Sequence, residues 1–151
     1  MLGATVPESW PPPVFEPDDV DRVRRQLIAS PTTARWTLHY LVRRVVSGAD
    51  RPALVGIAGY AGPPTTDGVV EIGYAIAAEY QRQGYATEAV DLLLTRAFAD
   101  PHVRIVVATT YADLRPSIRV LEKTGFIEVS HAVETGLMRF ERRPVLAHST
   151  T

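Results

Sequence analysis

The chain has 151 residues, 46% hydrophobic and 22% charged, with a formal net charge of −1 and no cysteine. That length supports one domain with a single sizeable core, and the near-balanced charge disfavours nucleic acid, whose partners neutralise phosphates with a basic face. Zero cysteines exclude disulfides, cysteine-ligated zinc and an acyl-cysteine intermediate, while the lack of a membrane-length apolar run or secretion-signal pattern makes the cytoplasm the expected compartment, with no membrane partner.

Residues 1–16 are rich in proline, with Pro11, Pro12 and Pro13 following Trp10, and are expected to be extended. Asp18 is placed to cap a helix reaching Ala29, with Val20, Val23, Leu27 and Ile28 as its inward stripe. Residues 36–46 read as a strand, with Trp36, Leu38, Tyr40 and Val42 on one side and Thr37, His39, Leu41 and Arg43 on the other. A turn at Gly48, Ala49 and Asp50 leads to a strand over 53–61, whose Gly56 and Gly59 signal close packing or a bend. The loop over 62–68 returns the chain into a third strand over 69–77, so an antiparallel meander is predicted.

That third strand organises the rest. Val70, Ile72, Tyr74 and Ile76 form its core face, and Glu71, Gly73, Ala75 and Ala77 lie opposite. A carboxylate followed by three small residues leaves room for a ligand beside an acid or base. The polar run from Gln81 to Ala86 then opens a helix over 87–99, in which Val90, Leu93, Leu94, Ala97 and Phe98 share helical spacing. The first amides of a helix have no intrahelical acceptor and its dipole favours an anion there. Gly84 lets the backbone approach a phosphate, Ala86 keeps the helix start slim and Arg82 adds a cation, so the loop fits a diphosphate.

Asp100 and Pro101 end this helix, and residues 104–110 read as a buried strand; the crossover from Glu71 to Thr110 has the length of a parallel connection. Residues 115–123 predict a helix with Pro116 near its start and Gly125 after its end. A hairpin of 126–132 with 136–142 follows. The tail over 144–151 is expected to be loose, which makes 17–143 the single domain.

The run from Gln81 to Ala86, Gln/Arg-x-x-Gly-x-Gly/Ala after a strand, resembles the acetyl-CoA pyrophosphate loop of the GNAT superfamily of N-acetyltransferases. The segment from Leu114 to Phe126 is similar to the Asn-x-x-Ser-x-x-x-Leu-Glu-Lys-x-Gly-Phe block of the subgroup related to ribosomal-protein N-terminal (alanine/serine) acetyltransferases. Ser117, Leu121, Glu122, Lys123, Gly125 and Phe126 agree with it. The resemblance implies an α+β fold, an α/β/α sandwich with a mixed, mostly antiparallel sheet around a central βαβ unit. It also implies that the first strand of that fold is missing from this chain, which would expose a sheet edge and favour a homodimer.

The same resemblance implies acetyl-CoA as co-substrate and no metal. Ile76, Gln81, Arg82, Gln83, Gly84, Tyr85, Ala86 and Thr87 would hold the co-substrate, and the acetyl group would pass directly to a primary amine, on a protein N-terminus or a small molecule. Glu71 is then the candidate base, expected to be partly buried, or else a carboxylate that pairs with an arginine and closes the sheet face. Ser117 is the candidate donor to the departing thiolate, or else a first-turn residue bonded to its own backbone. Two departures stand out. Leu114 replaces an asparagine that contacts the pantetheine arm, and Leu121 stands where many GNAT enzymes carry an acid tyrosine. They leave open a second reading, a non-catalytic acyl-CoA-binding or sensing module of the same fold. His39, His102, His131 and His148 lack metal-ligand spacing, and Trp10, Arg25 and Trp36 are candidates to line an acceptor pocket.

Overall fold

In the computed structural model, which describes residues 3–12, 17–45, 48 and 51–145, the chain builds a six-stranded sheet with three α-helices. Expectations for Pro13, for Ala49 and Asp50 and for the tail beyond residue 145 lie outside the described residues. In chain order come α1 (Pro17–Ala29), a 3-10 helix (Pro31–Trp36), β1 (Leu38–Arg43), β2 (Ala53–Tyr60), β3 (Val69–Ile76), a 3-10 turn (Ala78–Tyr80) and α2 (Tyr85–Phe98). Strand β4 (Ile105–Tyr111), helix α3 (Arg115–Lys123) and strands β5 (Ile127–Ala132) and β6 (Leu137–Arg142) complete it. No helix among the described residues is long and apolar enough to cross a membrane.

The meander forms as expected: β1 pairs β2 and β2 pairs β3, both antiparallel. Helix α2 carries the chain over to β4, which lies parallel to β3. The sheet order is β1-β2-β3-β4-β6-β5, so the final hairpin puts its second strand inside. Burial explains that order. Met138 and Phe140 of β6 alternate into the core, whereas every residue of β5 is exposed.

Helices α2 and α3 cover one face. Val70, Ile72 and Tyr74 of β3 meet Val90, Leu93, Leu94 and Ala97 of α2 and Ile118 and Leu121 of α3 in one cluster with Phe126 and Phe140. Tyr60 reaches through this core to donate to the Leu93 carbonyl at 2.5 Å. The proline-rich segment is tied to the β1 and β2 half of the sheet: Thr5 forms a parallel bridge to Ala53 of β2, Trp10 tilts against Tyr40 of β1 at 6.1 Å, and Pro12 is fully buried.

Three expectations are corrected. Trp36 is the last residue of a 3-10 helix rather than a strand residue, buried edge-on against Tyr60 at 4.9 Å, so it belongs to the core and not to an acceptor pocket. The alternation expected along β1 holds: Tyr40 and Val42 are exposed on one side while Leu41, on the other, packs toward the core, and the register shift between Leu41 and Val42 takes its extra residue, Val55, from β2. Ile28, in the last turn of α1, is 72% exposed rather than part of an inward stripe. Helix α2 starts at Tyr85, two residues earlier than its apolar period suggests, because Gly84 already serves as its N-cap.

Candidate active site

The site begins where β3 and β4 stop pairing. Their parallel ladder runs from Val69↔Ile105 to Ile72↔Ala108, yet β3 continues to Ile76 and β4 to Tyr111. Each strand keeps its other neighbour, β2 through Ile76 and β6 through Tyr111, so the two halves of the sheet part between them. The direction of the backbone groups follows from the ladder. Ala61 donates to the Glu71 carbonyl and Ala77 to the Val55 carbonyl, so odd-numbered residues of β3 bond to β2. By alternation, the main-chain groups of Tyr74 and Ile76 point into the gap. There the Ile76 carbonyl accepts from Gln81 Nε2 at 3.1 Å, which ties the loop after β3 to the strand end.

The gap leads to the loop that starts α2. Arg82 at φ +63° and Gly84 at φ +86° are both left-handed, a conformation that costs a residue with a side chain about 1 kcal/mol. Alternating backbone of this kind turns successive N–H groups toward one point, as anion-binding nests do. The helical ladder opens with Glu88 N–H donating to the Gly84 carbonyl at 3.0 Å, so the amides of Tyr85, Ala86 and Thr87 precede it, and Gly84 receives no side-chain cap. A Cβ at Gly84 would meet nothing within 4 Å. Packing therefore does not demand glycine here; the backbone angle and an open approach do. Gln83 Nε2 donates back to the Glu79 carbonyl at 3.2 Å, and Tyr85 packs edge-on to Tyr80 at 6.3 Å. A groove of about 530 Å³ runs from Gly84 and Thr87 along α2 to Lys123.

Glu71 and Ser117 sit on opposite faces of the sheet. Glu71 is exposed, not partly buried as expected, and accepts a hydrogen bond from Thr109 Oγ1 at 3.3 Å. Exposed Gly73 follows it, and a Cβ there would also meet nothing within 4 Å. Ser117, in the first turn of α3, is bonded to another element: Tyr74 Oη lies 3.0 Å from its Oγ and donates to its carbonyl at 3.1 Å. Burial pushes the Tyr74 hydroxyl above its ordinary pKa, against the opposite pull of that hydrogen bond. Leu121 is fully buried and Leu114 is the N-cap of α3, so neither supplies a polar group to the gap.

The loop residues Gln81 to Thr87 and Ile76 are thus brought together at one end of the gap, and Ser117 lies across from β3. Tyr74 and the gap itself were missed by sequence reasoning. The signal for Tyr74 was present, because a tyrosine on a core face needs a hydrogen-bond partner for its hydroxyl. The described residues contain no group of three or more His, Asp or Glu able to hold a metal.

Residues 4–127 match the acetyltransferase (GNAT) domain family. The chain belongs to this GNAT family. Over 126 residues it is 29% identical to the uncharacterized N-acetyltransferase YjdG of Bacillus subtilis (strain 168), spanning 83% of this chain and 71% of the relative. YnaD of the same organism, also an uncharacterized N-acetyltransferase, is 36% identical over 55 residues, 36% of this chain and 32% of YnaD. Among solved structures, spermidine N-acetyltransferase from Vibrio cholerae, in complex with CoA and spermine, matches with a TM-score of 0.65 at 16% identity, over 85% of this chain and 76% of that one. A GNAT acetyltransferase from Bacillus anthracis gives 0.51 at 24% identity, over 59% and 57%. At these identities the structural likeness speaks for the fold.

As a GNAT acetyltransferase the chain uses acetyl-CoA, and its own residues fit that co-substrate. The nest before α2 suits a diphosphate, and the backbone groups facing the gap suit an extended arm bearing amides.

Proposed function

We propose that this GNAT acetyltransferase transfers the acetyl group directly to a primary amine of a protein N-terminus or a small molecule. Acetyl-CoA supplies the activated thioester. The observation that carries the reading is the parting of β3 from β4 beyond Ile72 and Ala108, with the main-chain groups of Tyr74 and Ile76 facing the gap and the Arg82–Gly84 nest at its end. Ile76 and the loop from Gln81 through Arg82, Gln83, Gly84, Tyr85 and Ala86 to Thr87 bind and orient the donor, mainly through backbone amides.

On the other face Glu71 removes a proton from the acceptor ammonium, directly or through a water, since only the neutral amine attacks. Gly73 and Ala75 beside it leave the amine room to approach. Thr109 holds one carboxylate oxygen, which limits the orientations of Glu71. Ser117 donates a hydrogen bond to the sulfur as negative charge develops on it.

For the acceptor we favour a protein N-terminus, on the strength of the block formed by Ser117, Leu121, Glu122, Lys123, Gly125 and Phe126. The match to a spermine-bound spermidine acetyltransferase brings polyamines in as the competing class. The cytoplasm, where acetyl-CoA is available to such amines, is the compartment we assign. Self-association into a homodimer fits the sheet ends, where β1 and β5 each have one strand neighbour among the described residues.

Isothermal titration with acetyl-CoA, CoA and ATP, followed by peptides with free alanine or serine N-termini, spermidine and an aminoglycoside as acceptors, tests the reading. Binding of both CoA species but not ATP, with peptide acetylation, is expected. With the best acceptor, Glu71→Gln should lower kcat about a hundredfold with the KM for acetyl-CoA unchanged. Full turnover of that variant across the pH range would remove Glu71 as base.

A further inference from the structure

In many GNAT enzymes a tyrosine serves as the acid for the leaving group, and in this chain Leu121, a buried core residue, occupies that point. Another tyrosine hydroxyl nevertheless reaches the serine assigned above. Tyr74 projects from β3 on the helix-covered face, opposite to Glu71, and its Oη stands 3.0 Å from Ser117 Oγ and 3.1 Å from the Ser117 carbonyl oxygen. This contact joins β3, one of the two strands that part, to α3, the helix that follows the other. We propose that Tyr74 is a positioning residue for Ser117, holding the serine so that its own O–H can be turned toward the departing thiolate.

Counting protons shows why two hydroxyls do what one does poorly. Each hydroxyl has one hydrogen and two acceptor lone pairs. With Tyr74 donating to the Ser117 carbonyl, the serine hydrogen is directed at the tyrosine oxygen. Rotation of the tyrosine O–H onto Ser117 Oγ frees the serine hydrogen for an anion, and the serine oxygen, now accepting, becomes the better donor. No proton changes owner. Two torsions switch the pair from a closed arrangement to one that faces new negative charge, and both are set by neighbours already within bonding distance. Burial keeps the Tyr74 hydroxyl protonated at neutral pH, so the donor is always present. A serine without this partner would spend its hydrogen on its own helical backbone.

This inference rests on the assignment of Ser117 as donor to the thiolate, and its test separates the two. CoA bound to the protein presents its thiol at the same place, and the chain contains no cysteine, so the ultraviolet absorbance of thiolate reports CoA alone once the spectrum without CoA is subtracted. A donor aimed at the sulfur lowers the pKa of the bound thiol. Tyr74→Phe and Ser117→Ala should each raise it by about one pH unit, the strength of one hydrogen bond to a charged group. The double variant should go no further than either single one. In turnover with the best amine of the panel, Tyr74→Phe should lose about tenfold in kcat at unchanged KM for acetyl-CoA.

If Ser117→Ala shifts the bound thiol and Tyr74→Phe does not, the role of Tyr74 is overturned and the serine assignment stands. If Ser117→Ala shifts nothing, the serine assignment fails and the inference with it. If Tyr74→Phe weakens CoA binding without moving the thiol titration, Tyr74 is a wall of the gap and its positioning role is overturned.

Discussion

Gly84 offers the sharpest test of how the loop binds a diphosphate. Its φ of +86° is a left-handed angle that a branched residue resists, and a Cβ there points into open space. Gly84→Val should therefore do two separable things. Holding valine in the left-handed region costs about 1–2 kcal/mol, which for a domain of this size lowers Tm by about 2–8 °C. Interposing the side chain between the backbone and a phosphate removes at least one charge-assisted hydrogen bond, about 1.5–3 kcal/mol, so Kd for CoA should rise about ten- to a hundredfold. Gly84→Asn separates the effects, because asparagine tolerates the left-handed angle yet still carries a side chain into the approach. It should melt near wild type and still bind CoA weakly. Titration calorimetry with CoA, beside a thermal melt of each variant, makes the comparison. A folded Gly84→Val with wild-type affinity would refute the loop assignment, and an asparagine variant that restores full affinity would show that backbone shape alone, not open approach, is what the glycine provides.

Two further expectations concern the frame around the site. Tyr60 is 3% exposed and donates to the Leu93 carbonyl, and burial pushes its pKa from 10.0 to about 12, against the opposing charges of Arg96 and Arg35. The raised value means the unfolded chain releases this proton first as pH rises. The contribution is complete below pH 10 and drains away toward pH 12, so the stability of wild type relative to Tyr60→Phe should fall by about 2 kcal/mol over that window. Urea unfolding of both proteins between about pH 9 and 12 checks it, and a pH-independent difference would contradict the burial argument. Gly59 faces the backbone of β1, where a Cβ would stand 2.1 Å from the Thr37 carbonyl oxygen and 2.6 Å from the Leu38 Cα. Gly59→Ala should cost about 3 kcal/mol, since neither obstacle is a side chain that can rotate away; a circular-dichroism melt at the wild-type temperature would show that β1 does not lie this close.

The elements whose side chains alternate against a single buried face were legible in the sequence. Val70, Ile72, Tyr74 and Ile76 gave β3, and Val90, Leu93, Leu94 and Ala97 gave α2, because each set meets one packed layer and its period survives. Gly59 was legible too, as a close approach. Trp36 was misread because a large aromatic beside Thr37 and Leu38 continues a strand-like period, whereas Pro31 and the contact with Tyr60 hold that stretch in a 3-10 helix. The alternation along β1 was legible, but the extra residue that β2 inserts opposite Leu41 and Val42 was not, a feature no period signals. The order of β5 and β6 was also invisible, since the hairpin is equally satisfied either way until the burial of Met138 and Phe140 decides. At the site the loop was readable as chemistry, but the gap was not: where a ladder stops depends on what both strands do elsewhere, and nothing in either strand alone marks Ile72 or Ala108 as the last pair.

The position of that last pair also explains how one strand can serve both substrates. A strand offers side chains to two faces and main-chain groups to two edges, each with period two. In β3 the odd residues turn their backbone groups to β2 and their side chains to the open face, where Glu71 and Gly73 stand. The even residues turn their side chains toward the helices, where Tyr74 meets Ser117, and their backbone groups toward β4. Before Ile72 those groups are spent on the ladder; after it they face the gap. An acceptor beside Glu71 and a donor arm along the gap would therefore be aligned by the same strand without competing for an atom. The register with β2 is what keeps them so. A one-residue slip between Gly56↔Ile76 and Tyr60↔Ile72 would bury Glu71 against the helices and send Tyr74 to the open face, exchanging the two sites at once. The small residues that hold this register, Gly56 and Gly59, admit no side chain against Ala75 and Thr37, which links the packing of β2 directly to the arrangement of groups at the proposed reaction centre.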